Sequence, residues 1–426
     1  MRRLRFAWLL GAAFFTTLGD AFGLLAMEWM VYDLTGSKLS MGALALCAGI
    51  PELVIRLVGA PLTDRINRGR LLIVLAAIKA SAAVLPLLAA TLGSLQVWHL
   101  FITAGVLGAC SALYLPAASA ALPSIAPKGI LVRAFAIMEG CRGAAALLGP
   151  SLAGGATALY GSLYALGINA VIYGVAIGLL FMIPKASFVI QKEVKGDNST
   201  GYVHELLQGF SFFKQYRPIL LVMLLVSISN MGSAAVWTMM VPYGTEILQQ
   251  GPAAIGLLTT FSSLGALLGV ASVAMVGDLH RRSMWMPGSL AVIGLLTLLL
   301  GFTSSYGGAI VLVSLSGAAA PFFSSLSSAL YGRLVPEEMQ GRVNSIRYLI
   351  GGSLHPVGGG LGGVIGQSYG IPALFAGVGI VSLVCSVSAF FSPSLRMLNG
   401  PLEEVADRFA VDHSCNETRA ATSGHA

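Results

Sequence analysis

The stretch Phe6–Val31, FAWLLGAAFFTTLGDAFGLLAMEWMV, decides the architecture. A helix needs about 20 predominantly apolar residues to cross ~30 Å of hydrocarbon, and this run is long enough. Arg2, Arg3 and Arg5 precede it, as in a signal peptide. No small-residue cleavage pattern leads into a polar domain, so it reads as a retained first span. Met284–Thr303 is a second run of the same kind, and the composition extends the reading to the whole chain. Of 426 residues, 56% are hydrophobic and 10% charged, with a mean hydropathy of +0.82. Soluble domains carry about 25% charged residues. A lipid bilayer is the solvent that fits.

Working outward, twelve spans are predicted: 6–32, 39–62, 71–91, 97–121, 133–160, 163–184, 218–246, 252–276, 284–304, 307–332, 343–369 and 371–393. With this layout, 20 of the 25 Lys and Arg fall on one side of the membrane and only Lys38 on the other. The remaining four, Arg56, Lys79, Arg142 and Arg347, lie within spans. Positive charge marks the cytoplasmic side, so the chain is expected to be a multi-pass protein of the inner (plasma) membrane with both termini cytoplasmic. The formal charge of +7 is thereby explained by topology, not by nucleic acid.

Four segments follow. Residues 1–184 and 218–393 form two six-helix bundles, 185–217 a cytoplasmic loop, and 394–426 a polar, mobile tail. Tyr202, Leu206, Phe210 and Phe213 recur at helical spacing in the loop and suggest an amphipathic surface helix. The five cysteines are scattered, without CxxC spacing, and suggest neither disulfides nor a metal site.

The halves are related. Arg133–Gly161 aligns without gaps onto Arg342–Gly370, and each glycine-rich stretch closes in Tyr-Gly. Such parallel repeats are characteristic of secondary transporters, whose substrate sites lie at the repeat interface near the midplane.

Several motifs sharpen this. Leu18-Gly19-Asp20 lies in the first span, with Trp29-x-x-Tyr32-x-Leu34-Thr35-Gly36-Ser37 at its outer end. Pro61-Leu62-Thr63-Asp64-Arg65 follows the second, and Gly149-Pro150-Ser151-Leu152-Ala153-Gly154 lies in the fifth. On these residues the chain resembles the major facilitator superfamily over residues 1–395. Its greatest similarity is to the exporter branch that includes enterobactin and macrolide efflux proteins. The resemblance implies an all-α membrane fold of two pseudo-symmetric six-helix bundles and rocker-switch alternating access. It also implies that Asp64, with Arg65, Arg68 and Arg70, forms a conformational-switch loop, Asp64 latching the halves near Gly341. Gly149, Pro150 and Gly154 match the antiporter motif, a pointer to export. Two departures stand in the loop, Ala60 and Asn67 in place of glycines. A third is the lack of an arginine in the fourth span, a role that Arg142 is positioned to take over.

Ionisable residues inside a membrane are expensive and mark function or pairing. Asp20 lies about 22 Å from the nearest inner arginine at ~1.5 Å per residue. It has no base on its own helix, which suits a proton carrier; a static partner for Arg142 or Lys79 is the alternative. Lys79, on a span peripheral in the superfamily, reads as a snorkelling base. Glu52 with Arg56, and Glu139 with Arg142, are spaced as intrahelical pairs and are further proton-coupling candidates. By family analogy, spans 1, 4, 7 and 10 line the cavity with Phe15, Tyr114, Asn230, Trp237, Phe322 and Phe323.

The expected function is export of an amphipathic small molecule (drug, siderophore or secondary metabolite), coupled to protons. A lipid or lysophospholipid flippase of the same fold is the alternative, and a non-transporting receptor or scaffold ranks below it. An enzyme is not expected, since no His residue belongs to a convergent catalytic cluster. No Gly-Lys-Ser/Thr phosphate loop occurs, and Gly358-x-Gly360-x-x-Gly363 lacks the βαβ context of a dinucleotide site. No cofactor or metal is therefore expected. The expected partners are the substrate, protons and membrane lipids, in a monomer.

Overall fold

A computed structural model describes residues 2–65, 67–127, 129–184, 213, 216–277, 279–335, 340–401 and 403–405. The described residues are helical, joined by turns, with no strand among them. The elements are α1 (Arg2–Thr35), α2 (Lys38–Arg65), α3 (Arg68–Thr91), α4 (Val97–Ile125), α5 (Leu131–Tyr160) and α6 (Ser162–Phe181). After the loop come α7 (Arg217–Thr238), α8 (Pro252–Val276), α9 (Arg282–Gly301), α10 (Tyr306–Leu334), α11 (Gln340–Ser353), α12 (His355–Tyr369), α13 (Ile371–Phe390) and the short α14 (Pro393–Arg396). Ten helices among the described residues are long and apolar enough to cross a membrane. Residues 133–160 and 343–369 fall outside that set. The first lies in α5; the second is divided between α11 and α12.

Two predicted spans are broken, each beside a proline. Residues 343–369 split at Leu354, just before His355-Pro356. Proline supplies no amide donor and crowds the residue before it, so the ladder is interrupted there. Residues 218–246 break at Met239, continue as Met240–Pro242, and close in a π-turn over Tyr243–Ile247. The Tyr243 hydroxyl holds that turn by donating to the carbonyls of Leu300 (3.1 Å) and Thr303 (2.8 Å).

The repeat is visible in backbone geometry. Gly161 ends α5 at φ 86°, ψ 161°, and Gly370 ends α12 at φ 85°, ψ 161°. Only glycine adopts this conformation readily, so both halves use one residue type to turn into the next helix.

Helices preceding the loop pack mainly on one another: α1 on α4, α5 and α6, α3 on α4 and α6, and α2 on α4. Those following it do likewise, α8 on α10, α9 on α10 and α13, and α12 on α7. The two sets meet where α5 lies on α8 and α2 lies on α12. These contacts are backbone-close because small residues occupy them. A Cβ on Gly363 would come within 2.8 Å of the Gly42 Cα, and one on Gly256 would meet the Pro150 carbonyl.

At the end of α1 the sets are tied by polar contacts. The Tyr32 hydroxyl donates to Glu246 (2.8 Å), Lys38 pairs with Glu246 (2.8 Å), and the Lys38 amide donates to the Gln367 side chain (3.1 Å). Toward the opposite, arginine-rich end, α5 is open on most of its circumference. Val132 is 86% exposed, and a Cβ on Gly140 or Gly143 would meet nothing within 4 Å.

Part of the tail is anchored: of the described residues 393–401 and 403–405, Leu395, Leu398 and Val405 are buried against α7, α9 and α10, and the rest of the tail lies outside the described residues. The Arg282 guanidinium donates to the carbonyls of Leu398 (3.2 Å) and Gly400 (2.6 Å), and Asn399 bonds Ser283. These apolar anchors are few and widely spaced, so the polar composition did not reveal them. The amphipathic helix proposed for the central loop lies outside the described residues, except Phe213, which is buried against Tyr331.

Candidate functional site

Asp20 lies in the middle of α1, beside Gly19. A Cβ at Gly19 would come within 2.7 Å of the Tyr173 ring, so glycine is what lets α6 approach. Tyr173 then donates its hydroxyl to Asp20 (2.8 Å). From α3, Lys79 Nζ donates to both carboxylate oxygens at 2.8 Å. From α4, Ser111 donates at 3.3 Å. Four helices therefore converge on one carboxylate.

Lys79 does not snorkel toward a headgroup. Its side chain is fully shielded, whereas that of Asp20 is 33% exposed. The ammonium also faces the rings of Tyr114 and Tyr173 at 5.3 and 5.9 Å from their centroids, within cation–π range. The base is thus walled in by aromatics, and the acid is the member of the pair that meets open space.

The two intrahelical pairs form as their spacing suggests. Glu52 and Arg56 lie 2.6 Å apart on α2, and Glu139 and Arg142 2.6 Å apart on α5. Arg142 is thereby engaged on its own helix, and Lys79, not Arg142, is the base that meets Asp20.

Of the loop residues, Asp64 and Arg65 end α2, but their side chains lie outside the described residues, as do the surroundings of Gly341. Arg68 donates to the Ala120 carbonyl at 2.7 Å, fixing the loop against α4. Asn67 caps α3 by accepting the amide of Arg70 at 3.1 Å, which accounts for an asparagine at that position.

The fifth-span motif packs two ways. Gly149 is pressed on α1 at Leu18, Ala21 and Phe22. Pro150 and Gly154 face α8 at Gly256 and Pro252, and Thr260 of α8 donates to the Leu147 carbonyl at 3.2 Å.

The cavity candidates divide. Tyr114 and Phe323 are packed between helices, each 5% exposed, and the Tyr114 hydroxyl donates to the Ala12 carbonyl at 3.4 Å. Asn230 donates to the Gly351 carbonyl at 2.7 Å. Phe322 stacks on Trp285 at 5.8 Å, Phe15 meets Phe14 edge-on at 5.3 Å, and Trp237 is partly buried against the core. Residues absent from the sequence reading are Tyr173, Ser111 and Glu246. Their only signal was polarity within or beside an apolar run.

Comparison with known proteins bears on the family and the fold. The family model described as transmembrane secretion effector matches residues 1–415. The multidrug efflux pump Tap of Mycolicibacterium fortuitum is 23% identical over 407 residues, covering 92% of this chain and 96% of that protein. Macrolide efflux protein A of Streptococcus pyogenes is 20% identical over 384 residues, covering 88% and 92%. Among solved structures, a nucleoside transporter NupG mutant superposes with TM-score 0.73 at 14% identity, over 92% of this chain and all of that one. A bacterial homologue of the lysosomal transporter Spinster superposes with TM-score 0.68 at 13% identity, over 93% and 99%. The chain thus belongs to the transmembrane secretion effector family of the major facilitator superfamily, and is a multi-span membrane transporter and not an enzyme.

Proposed function

We propose that the protein exports an amphipathic small molecule by rocker-switch alternating access, driven by the proton gradient. The efflux relatives, similar along most of their length, support the direction of transport. In this reading the chain crosses the inner membrane twelve times, α5 and the broken pair α11–α12 supplying the crossings beyond the ten clearly apolar ones. Residues 1–184 and 218–393 are the moving bundles, acting as a monomer among membrane lipids. Positive charge at the arginine-rich end supports a cytoplasmic location for that end and for both termini.

The observation that carries the mechanism is the asymmetry at Asp20. A carboxylate held by a fully shielded base, yet itself one-third exposed, can exchange a proton with water or cargo. Protonation releases Lys79 from its ion pair, and a change of state is coupled to that release. Glu52 and Glu139, each paired on its own helix and partly exposed, are secondary candidates. Asp64, with Arg65, Arg68 and Arg70, latches the cytoplasmic ends when the opposite state forms. Phe15, Trp237, Phe322 and Asn230 supply part of the cavity wall.

The test is drug efflux from cells expressing the protein. Export should stop on addition of an uncoupler while ATP is maintained. Export that persists with the gradient collapsed would reject secondary transport.

A further inference from the structure

The Asp20 carboxylate is fully subscribed. An ionised carboxylate offers about four lone-pair sites, and each of its oxygens here accepts two hydrogen bonds. Oδ1 accepts from Lys79 and Tyr173 at 2.8 Å each, and Oδ2 from Lys79 at 2.8 Å and Ser111 at 3.3 Å. A single ammonium thus sits equally close to both oxygens. Hard metal cations are held by oxygens in the same way, so Lys79 Nζ occupies the place such an ion would take.

Lys79 has no second seat. Its side chain is fully shielded, the rings of Tyr114 and Tyr173 face the ammonium, and Asp20 is its one acid partner among the described residues. An ion arriving from water therefore meets the acid and finds the base already in place. A proton needs one lone pair and no coordination shell. Ser111 makes the longest of the four bonds, and its hydroxyl can turn from donor to acceptor to free Oδ2. A metal ion needs several oxygens at once. It would have to displace an ammonium that is tethered to α3 and has nowhere polar to go.

We propose that Lys79 sets the ion specificity of the transporter. Its ammonium is a tethered cation in the seat that sodium or potassium would fill beside Asp20, so the proton is the ion this carboxylate exchanges. This rests on the proton-driven reading above and adds to it the residue that excludes metal ions. Removing the base should convert the site. In Lys79→Ala both carboxylate oxygens and the hydroxyls of Ser111 and Tyr173 remain, with the negative charge uncompensated and the ammonium's place open to a monovalent metal ion.

The experiment measures thermal unfolding of the purified full-length protein in sodium, potassium or choline chloride at equal ionic strength. The wild type should unfold within about 1 °C of one temperature in all three salts, whereas Lys79→Ala should gain at least about 3 °C in sodium or potassium over choline. Asp20→Asn/Lys79→Ala, which lacks the carboxylate, should lose that gain. A wild type stabilised by either metal ion, a Lys79→Ala protein indifferent to both, or a gain kept in the double variant overturns the proposal. If Lys79→Ala is recovered in none of the salts, Lys79→Gln is judged by the same criteria. Failure of both variants to fold in sodium or potassium also overturns it, since a bound metal ion would replace the missing charge. Accumulation of ethidium in liposomes separates this proposal from the reading it rests on. Wild-type accumulation should follow a pH gradient and ignore a sodium gradient. Accumulation driven by sodium alone overturns the proposal. Accumulation driven by neither gradient counts against the proton-driven reading, and the unfolding measurement then still decides whether Lys79 excludes metal ions.

Discussion

Lys79 Nζ lies 2.8 Å from each carboxylate oxygen of Asp20, with the base fully shielded and the acid one-third exposed. The pair joins α3 to α1 across 59 residues of sequence. Its consequences differ for the two partners, because only one of them has an alternative to its mate. Asp20 also accepts from Tyr173 and Ser111, whereas Lys79 has only aromatic faces beside it.

Removing the acid alone should therefore damage the fold. Asp20→Asn leaves a buried ammonium unpaired, at a cost of about 3–5 kcal/mol, toward the lower end because Asp20 reaches water. The expected result is low abundance and early thermal unfolding in detergent. Asp20→Asn combined with Lys79→Leu should restore stability to near wild type. Full stability of the single variant would show that the pair contributes little.

The contacts at Glu246 predict a shift in conformational balance. Glu246→Gln weakens the pairing with Lys38, an interaction worth about 1 kcal/mol when partly exposed. Such a loss changes the ratio of states about fivefold. Spin labels on Ser37 and Gln250 should report a larger population of separated ends. The exchange Lys38→Glu with Glu246→Lys should restore the original distribution. Distances unaffected by either change would remove this contact from the gating account.

Close packing of α5 on α8 makes Gly256 intolerant of a side chain. Gly256→Val drives carbons into the Pro150 carbonyl and Ser151 Cα. Overpacking costs about 1–3 kcal/mol, and here it falls only on the state closed at this end. Abundance should be normal and export strongly reduced. Wild-type export would show that the two helices do not need this approach.

The tail should behave as a strap held by Arg282. Arg282→Gln loses charge-assisted bonds to the carbonyls of Leu398 and Gly400, worth about 1–3 kcal/mol together with the desolvation left behind. Limited proteolysis within residues 393–405 should speed up, while the transmembrane part stays folded. An unchanged cleavage rate would mean that Leu395, Leu398 and Val405 suffice to dock it.

Much of the fold was legible because a bilayer imposes long apolar runs and separates charge by side. The repeat was legible too, and Gly161 and Gly370 repeat it in nearly identical dihedrals. Pairing between helices was not. Sequence spacing reveals partners one turn away, as for Glu52 with Arg56, but cannot reveal that Lys79 turns inward to Asp20. Tyr114 illustrates the converse, since an aromatic on a cavity helix packs against α1 instead.

The central claim is that proton movement at Asp20 drives export, and the stabilised double variant Asp20→Asn/Lys79→Leu tests it most directly. Purified protein in liposomes is given labelled substrate under an imposed pH gradient, and separately under substrate exchange without one. The account predicts that the double variant loses gradient-driven accumulation and keeps exchange near the wild-type rate. Gradient-driven accumulation equal to wild type, in the same well-folded variant, would contradict it.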